Sequence, residues 1–277
     1  MDNTLYISDL DGTLLQPDGT ISKYTREKIH EIIDAGIHFT IATARSITST
    51  KEILGDLPLK LPVICSNGGT IFNFHTKENL HVEYMTSNIV KEIIDAIKDE
   101  PHSAFMSGLI DGEEKIFFDE LTNDGMHWFH QNRIEANDKR LTKIDDLRAY
   151  SLHPITSITL MNRAQNLLQK KKFYSKQYAK TLKVNYFENK YSVGWYWLSL
   201  HSANSTKGNA IERLKNMLNL NHLNTTVFGD EMNDLPMFAI ADHAVAVGNA
   251  LPEVKRASHS VIGANHENAV VDFILGQ

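Results

Sequence analysis

The chain has 277 residues, 42% of them hydrophobic, which is enough to bury a sizeable core as one large domain or two of ordinary size. Its 28 Lys and Arg against 34 Asp and Glu leave a net charge of −6, so the overall balance gives no attraction to nucleic acid or to an anionic membrane, and only a local basic patch could. A single cysteine, Cys65, excludes an intrachain disulfide; no apolar run reaches the roughly 20 residues of a membrane span, and Met1-Asp2-Asn3-Thr4 lacks the basic start of a signal peptide, so a soluble, cytoplasmic protein is expected.

Thr4 to Leu10 is a short apolar run rich in β-formers and predicts the first strand. Asp9 and Asp11 stand at its end, with Gly12-Thr13 directly after. Residues two apart in a strand share a face, so both acids are expected at one site where the strand finishes. Their repulsion and lost hydration need an offset, and a divalent cation supplies one. Gly12 permits a tight turn and Thr13 can brace it through its hydroxyl; an acidic surface turn is the plainer alternative. Ser22 is placed to cap a helix carrying Ile29, Ile32 and Ile33 and ending at Gly36.

Ile37 to Ala42 predicts the second strand, followed by Thr43-Ala44-Arg45 and a helix over Ser46 to Leu54. Thr43 can donate to a phosphate oxygen beside the first N–H groups of that helix, or simply cap it, and Arg45 reads equally well as a solvated helix charge. Pro62 to Cys65 is a third strand, ending at Asn67-Gly68-Gly69. Strand–helix alternation with short connections predicts a parallel sheet covered by helices.

The middle of the chain has a different rhythm. A helix from Ser87 to Lys98 precedes two strands around Asp111-Gly112 and a His- and Trp-bearing stretch from Asp124 to Arg133. A strand at Ser157 to Met161, a helix from Ala164 to Tyr178 and a hairpin of Leu182–Phe187 with Tyr191–Leu200 follow. Strands grouped as hairpins predict an α+β unit inserted into the α/β domain. The expected fold class is therefore α/β: a Rossmann-like parallel-sheet core, residues 1–83 and 201–277, with an α+β cap domain at 84–200.

Ser205-Thr206-Lys207-Gly208 opens the next helix, expected over Asn209 to Leu218. A helix N-terminus repels a cation, so Lys207 is better explained by an anion opposite it than by a surface lysine. Thr225 to Phe228 predicts a strand that runs into Gly229-Asp230-Glu231-Met232-Asn233-Asp234. Asp230 sits at the strand end and Asp234 one helical turn on, so both can reach one cation, or both can serve as helix caps. Oxygen ligands without Cys or paired His point to Mg2+ over zinc. Strands at Ala244–Val247 and near Val261-Ile262 and a last helix complete the chain.

In order, these features are Asp-x-Asp, Thr, Lys and Asp-x-x-x-Asp, each at a strand end or helix start. The chain resembles a haloacid dehalogenase superfamily phosphatase of the Cof-like branch, whose large α/β cap lies between the second and third motifs. Asn67-Gly68-Gly69 and Ala246-Val247-Gly248-Asn249-Ala250 also match, while Ala269 stands where such proteins often carry glycine. The resemblance implies hydrolysis of a small phosphorylated metabolite, with Asp9 as nucleophile and Asp11 as general acid and base. It implies Mg2+ bound by Asp9, the Asp11 carbonyl and Asp230, with Asp234 binding the metal, directly or through water, or orienting Lys207. Thr43 and Lys207 would hold the phosphoryl group, and Leu10, Gly12, Ala44, Arg45, Asn67, Gly68 and Asn233 complete the phosphate and substrate contacts.

The cap is expected to choose the substrate. His127, Trp128, His130, Trp195 and Trp197 are its candidates, although the two last tryptophans read more readily as core and the histidine pair has no acidic or thiol companion. A phosphotransferase or mutase on sugar phosphates and a phospho-accepting switch are the rival readings. Asp11 opposes the switch, because a second acid beside the acceptor speeds loss of the phosphate. Neither the substrate nor the oligomeric state is legible in the chain.

Overall fold

The computed structural model describes residues 3–97, 104–189 and 191–276. Met1, Asp2 and Lys98, which figured in the expectations above, lie outside them. The described chain divides into two compact units, Met1–Val82 with Ser205–Gln277, and Glu83–Asn204.

From the N-terminus, the first unit runs β1 (Thr4–Ser8), α1 (Lys23–Asp34), β2 (His38–Ile41), α2 (Ile47–Leu54), β3 (Val63–Cys65), β4 (Thr70–Asn73) and β5 (Glu78–Val82). The second unit follows with α3 (Ser87–Ile97), β6 (Ala104–Ile110), β7 (Glu113–Phe118), α4 (Asp124–Glu135), β8 (Leu141–Lys143), β9 (Ile155–Asn162), α5 (Ala164–Gln177), β10 (Leu182–Glu188) and β11 (Tyr196–Ser202). The chain then returns to the first unit through α6 (Lys207–Met217), β12 (Asn224–Gly229), α7 (Leu235–Phe238), β13 (His243–Ala246), α8 (Pro252–Ala257), β14 (Ser260–Val261) and α9 (Ala269–Leu275).

The first unit is built on a five-stranded sheet in the order β14-β13-β12-β1-β2, with every pairing parallel. Its strands are near-continuous apolar runs: Leu5, Ile7, Ile41, Val227, Phe228 and Val245 are all buried, as a sheet covered on both faces requires. From β1 the chain moves to β2 on one side, whereas β12, β13 and β14 extend on the other. That reversal of direction lies between β1 and β12, and in such sheets the crevice beyond the strand ends at this point takes ligands. Register places Ser8 beside both Phe228 and Ile41, so the residues just after them come out at one edge.

Two expectations change here. The first strand stops at Ser8, not Leu10; residues Leu10–Leu14 form a tight helical turn around Gly12 at φ +73°, and the Leu15 N–H donates to the Leu10 carbonyl. Leu10 and Leu14 are buried by that turn, which removes Asp11 from the strand face it was expected to share with Asp9. The third strand touches the parallel sheet through one bridge, Ala42 with Ile64, and pairs antiparallel with β4 in a separate sheet of order β3-β4-β5.

The second unit is a six-stranded mixed sheet, β10-β11-β9-β6-β7-β8, antiparallel except for β7 with β8. Alternation along β9 and β11 sends Ile158, Leu160, Leu198 and Leu200 into a core with Val90 and Ile93 of α3 and Leu167 of α5. The opposite face carries a smaller cluster in which Met126 of α4 packs with Phe105, Phe118, Trp195 and Trp197. Both tryptophans are therefore core, as their spacing suggested. The last strand of this unit begins at Tyr196, not Tyr191, because Asn189 accepts from the Tyr191 N–H and residues 191–194 form a turn with Gly194 at φ +82°.

Candidate active site

Backbone geometry at the edge of the parallel sheet brings the polar residues together. Asp9 follows β1 with its N–H donating to the Phe228 carbonyl at 3.0 Å, so it is held by the neighbouring strand. Thr43 follows β2 with its N–H donating to Ile64 at 2.8 Å, and is fully buried. Asp230 follows β12, and Asp234 closes the short turn Met232–Asp234 before α7. Lys207 opens α6, behind Thr206, whose hydroxyl caps the helix by accepting from the Asn209 N–H at 3.1 Å.

Lys207 has no exposed surface, and its Nζ lies 2.6 Å from Asp9 Oδ1 and 2.6 Å from Asp234 Oδ1. The cation at a helix N-terminus thus has two anions opposite it, which offsets the unfavourable dipole. Asp234 uses its other oxygen to accept from the Asp230 and Glu231 N–H groups at 2.9 and 3.0 Å. Asp230 Oδ1 accepts from the Thr13 hydroxyl at 2.9 Å. Oxygens of Asp9, Asp230 and Asp234 all lie within 4.8 Å of one another.

Three buried carboxylates share one ammonium, and the electrostatics follow from that imbalance. Burial, reinforced by Asp234 and Asp230 and opposed by Lys207, pushes Asp9 up to about 8. Burial and the Asp234 charge push Asp230 up to about 7. Burial works against the Lys207 ammonium, but Asp9 and Asp234 outweigh it and hold its pKa above the ordinary lysine value. The donor set is all oxygen, compact, buried and in excess of negative charge, so it fits a small hard divalent cation such as Mg2+.

Gly12 is required by this arrangement. Its φ is +73°, and a β-carbon there would fall 2.1 Å from Asp230 Oδ2. The Gly12 carbonyl accepts from Asn249 Nδ2 at 2.7 Å, Asn249 in turn accepts from the Asn265 N–H at 2.9 Å, and Asn265 Nδ2 donates to the Leu15 carbonyl at 2.7 Å. The bracing by Asn249 and Asn265 escaped the sequence reading. Asn249 lay in a matching motif but carried no sign of its partner, and Asn265 binds a residue 250 positions away.

The remaining expected residues fall around the same edge. Asn67 Oδ1 accepts from Asn233 Nδ2 at 2.8 Å, so these two hold each other. Gly68 has φ +92° and a β-carbon there would meet the Thr206 carbonyl at 2.1 Å, which packs the 66–68 turn onto the start of α6. Leu10 is fully buried, while Ala44 is exposed. Asp11 does not join the carboxylate cluster: its side chain forms an ion pair with Arg45 at 2.6 Å. Arg45 is accordingly a partner of Asp11 and not merely a solvated helix charge. In the other unit His127 is exposed and His130 sets its ring against Phe118 at 5.1 Å, and among the described residues neither joins a metal-binding group.

Comparison with known proteins agrees over nearly the whole chain. Residues 6–274 match the family described as haloacid dehalogenase-like hydrolase. The chain is 30% identical to the 5-amino-6-(5-phospho-D-ribitylamino)uracil phosphatase YwtE of Bacillus subtilis, over 96% of this chain and 95% of that protein. It is 24% identical to the pyridoxal phosphate phosphatase YbhA of Escherichia coli, with 96% and 95% covered. Among solved structures, TM0651 of Thermotoga maritima superposes with a TM-score of 0.80 at 25% identity, covering 100% of this chain and 98% of the other.

Proposed function

The chain belongs to the haloacid dehalogenase-like hydrolase family and is a phosphatase of phosphorylated small molecules, and from that premise we propose that it works through an aspartyl-phosphate on Asp9 with Mg2+ bound. The observation that carries this reading is the Asp9 carboxylate, fixed 2.6 Å from a buried ammonium at the end of β1, next to the strand that carries Asp230.

Asp9 attacks phosphorus with one oxygen while the bond from phosphorus to the leaving alkoxide breaks and Asp11 gives that alkoxide its proton. In the second half, Asp11 takes a proton from water, the water oxygen attacks phosphorus, and the bond to Asp9 breaks to release inorganic phosphate. Lys207 keeps Asp9 oriented and balances negative charge on the phosphoryl group, and the Thr43 hydroxyl donates to a phosphoryl oxygen. Asp9 and Asp230 each keep one carboxylate oxygen for a cation, whereas Asp234 spends its oxygens on Lys207 and two N–H groups, so Asp9 and Asp230 are the proposed direct ligands. Bound Mg2+ would lower the repulsion between the anionic nucleophile and the anionic substrate. Asn67 and Asn233 act as a joined pair that shapes the phosphate end of the site, and the choice of substrate is assigned to the 83–204 unit.

The test is hydrolysis of p-nitrophenyl phosphate with and without Mg2+, by the wild type and by Asp9→Asn. Activity should require the cation and should fall at least about a thousandfold in the variant; a fully active Asp9→Asn enzyme would remove the nucleophile. A panel of phosphorylated metabolites that includes pyridoxal phosphate and 5-amino-6-(5-phospho-D-ribitylamino)uracil then ranks substrates.

A further inference from the structure

Asp11 and Arg45 make a two-pronged pair, Arg45 Nε donating to Asp11 Oδ2 at 2.7 Å and Nη2 donating to Oδ1 at 2.6 Å. Both carboxylate oxygens therefore accept from guanidinium donors, which turns the group toward Arg45, outside the Asp9, Asp230 and Asp234 cluster. Arg45 is itself well anchored: Nη1 donates to Ser49 Oγ at 3.1 Å, its N–H donates to Thr43 Oγ1 at 3.1 Å, and its carbonyl accepts from the Ser66 N–H at 2.8 Å. The side chains are 29% and 50% exposed, so a ligand can reach the pair. A guanidinium fork fits a phosphoryl group as well as it fits a carboxylate, and the backbone N–H of the same residue donates to the Thr43 hydroxyl that the mechanism assigns to phosphate.

Building on the phosphatase reading above, we propose that Arg45 is a shared ligand that exchanges partners. It holds Asp11 while no phosphate is present, passes to the phosphoryl oxygens when phosphate enters, and so releases Asp11 for proton transfer only when there is something to act on. With respect to Asp11, Arg45 is a positioning residue that keeps the proton-transfer group occupied until substrate replaces it. Phosphate and the Asp11 carboxylate then compete for one fork, and competition of this kind has a measurable coupling.

Binding of inorganic phosphate in Mg2+ buffer, measured by calorimetry on wild type, Asp11→Asn, Arg45→Ala and the double variant, reads that coupling directly. Removing the competing carboxylate should tighten phosphate binding about tenfold when Arg45 is present and less than about threefold in the Arg45→Ala background. The smaller gain measures the loss of a negative charge alone. Arg45→Lys, which keeps the charge but not the fork, should behave like Arg45→Ala and guards against a folding defect in one variant. Equal tightening with and without Arg45, or none in either, overturns the exchange. The Asp9→Asn assay run alongside separates the two ideas: equal tightening with an inactive Asp9→Asn enzyme sinks only the exchange, while an active one sinks the phosphatase mechanism beneath it.

Discussion

Lys207 and the acids around it set how the site responds to pH. Asp9 and Asp230 have folded-state pKa values raised to about 8 and about 7, above those of unfolded aspartates. Between the unfolded value near 4 and these folded values, the native state holds protons that the unfolded chain has lost, so stability falls as pH rises. The metal-free protein should therefore melt at a lower temperature at pH 8 than at pH 5, and the stabilisation gained on adding Mg2+ should grow over the same window. Thermal melts across that range check both, and a flat metal-free profile with a pH-independent Mg2+ effect contradicts the clustering of charge. At this scale the sequence shows which acids and which lysine stand at strand ends and helix starts, and that is enough to bring Asp9, Lys207, Asp230 and Asp234 together. The Asp11–Arg45 pair was not legible, because the direction of Asp11 depends on the turn that Gly12 makes after the strand has ended.

Elements carry these residues only if their ends are shaped correctly. Capping signals were readable: Ser22 accepts from the Thr25 N–H at 2.9 Å, and Gly36 ends the first helix at φ +78°. Strand limits were harder, since the run Thr4–Leu10 continues past Ser8, where the strand ends and Leu10 turns into the core. Short elements such as β5, β8 and α8 have too few residues to show a period, and their structure comes from pairing or packing with distant segments. The turn at Ser66, Asn67 and Gly68 has three consecutive positive φ angles, and Gly68 is the one that meets backbone. Gly68→Ala should cost about 2–4 kcal/mol, from the left-handed backbone together with a clash against Thr206 that cannot rotate away. Urea unfolding measures it, and a variant within about half a kcal/mol of wild type would show that the turn yields easily.

For the whole molecule, alternation of strand and helix signals followed by a cluster of hairpins was sufficient to predict a parallel sheet interrupted by an α+β insertion. The pairing order of the strands was not, because parallel neighbours such as β1 and β12 are more than two hundred residues apart and share no turn. The two units have separate apolar cores. Leu198→Ala, in the core of the 83–204 unit, should lower stability by about 2–5 kcal/mol and leave Mg2+ affinity in the folded protein unchanged within about twofold. Denaturant melts and metal titration test this pair of outcomes, and a large loss of Mg2+ affinity would tie the carboxylate cluster to that second core. Catalysis by this molecule depends, in the proposed mechanism, on a phosphoryl group passing onto Asp9. Acid quenching during turnover of p-nitrophenyl phosphate, borohydride reduction and peptide mass spectrometry would report it, because an acyl phosphate is reduced to the homoserine level. Homoserine is expected at position 9 in the wild type and none without substrate; turnover with Asp9 unmodified, or with the reduced residue elsewhere, would rule out transfer to Asp9.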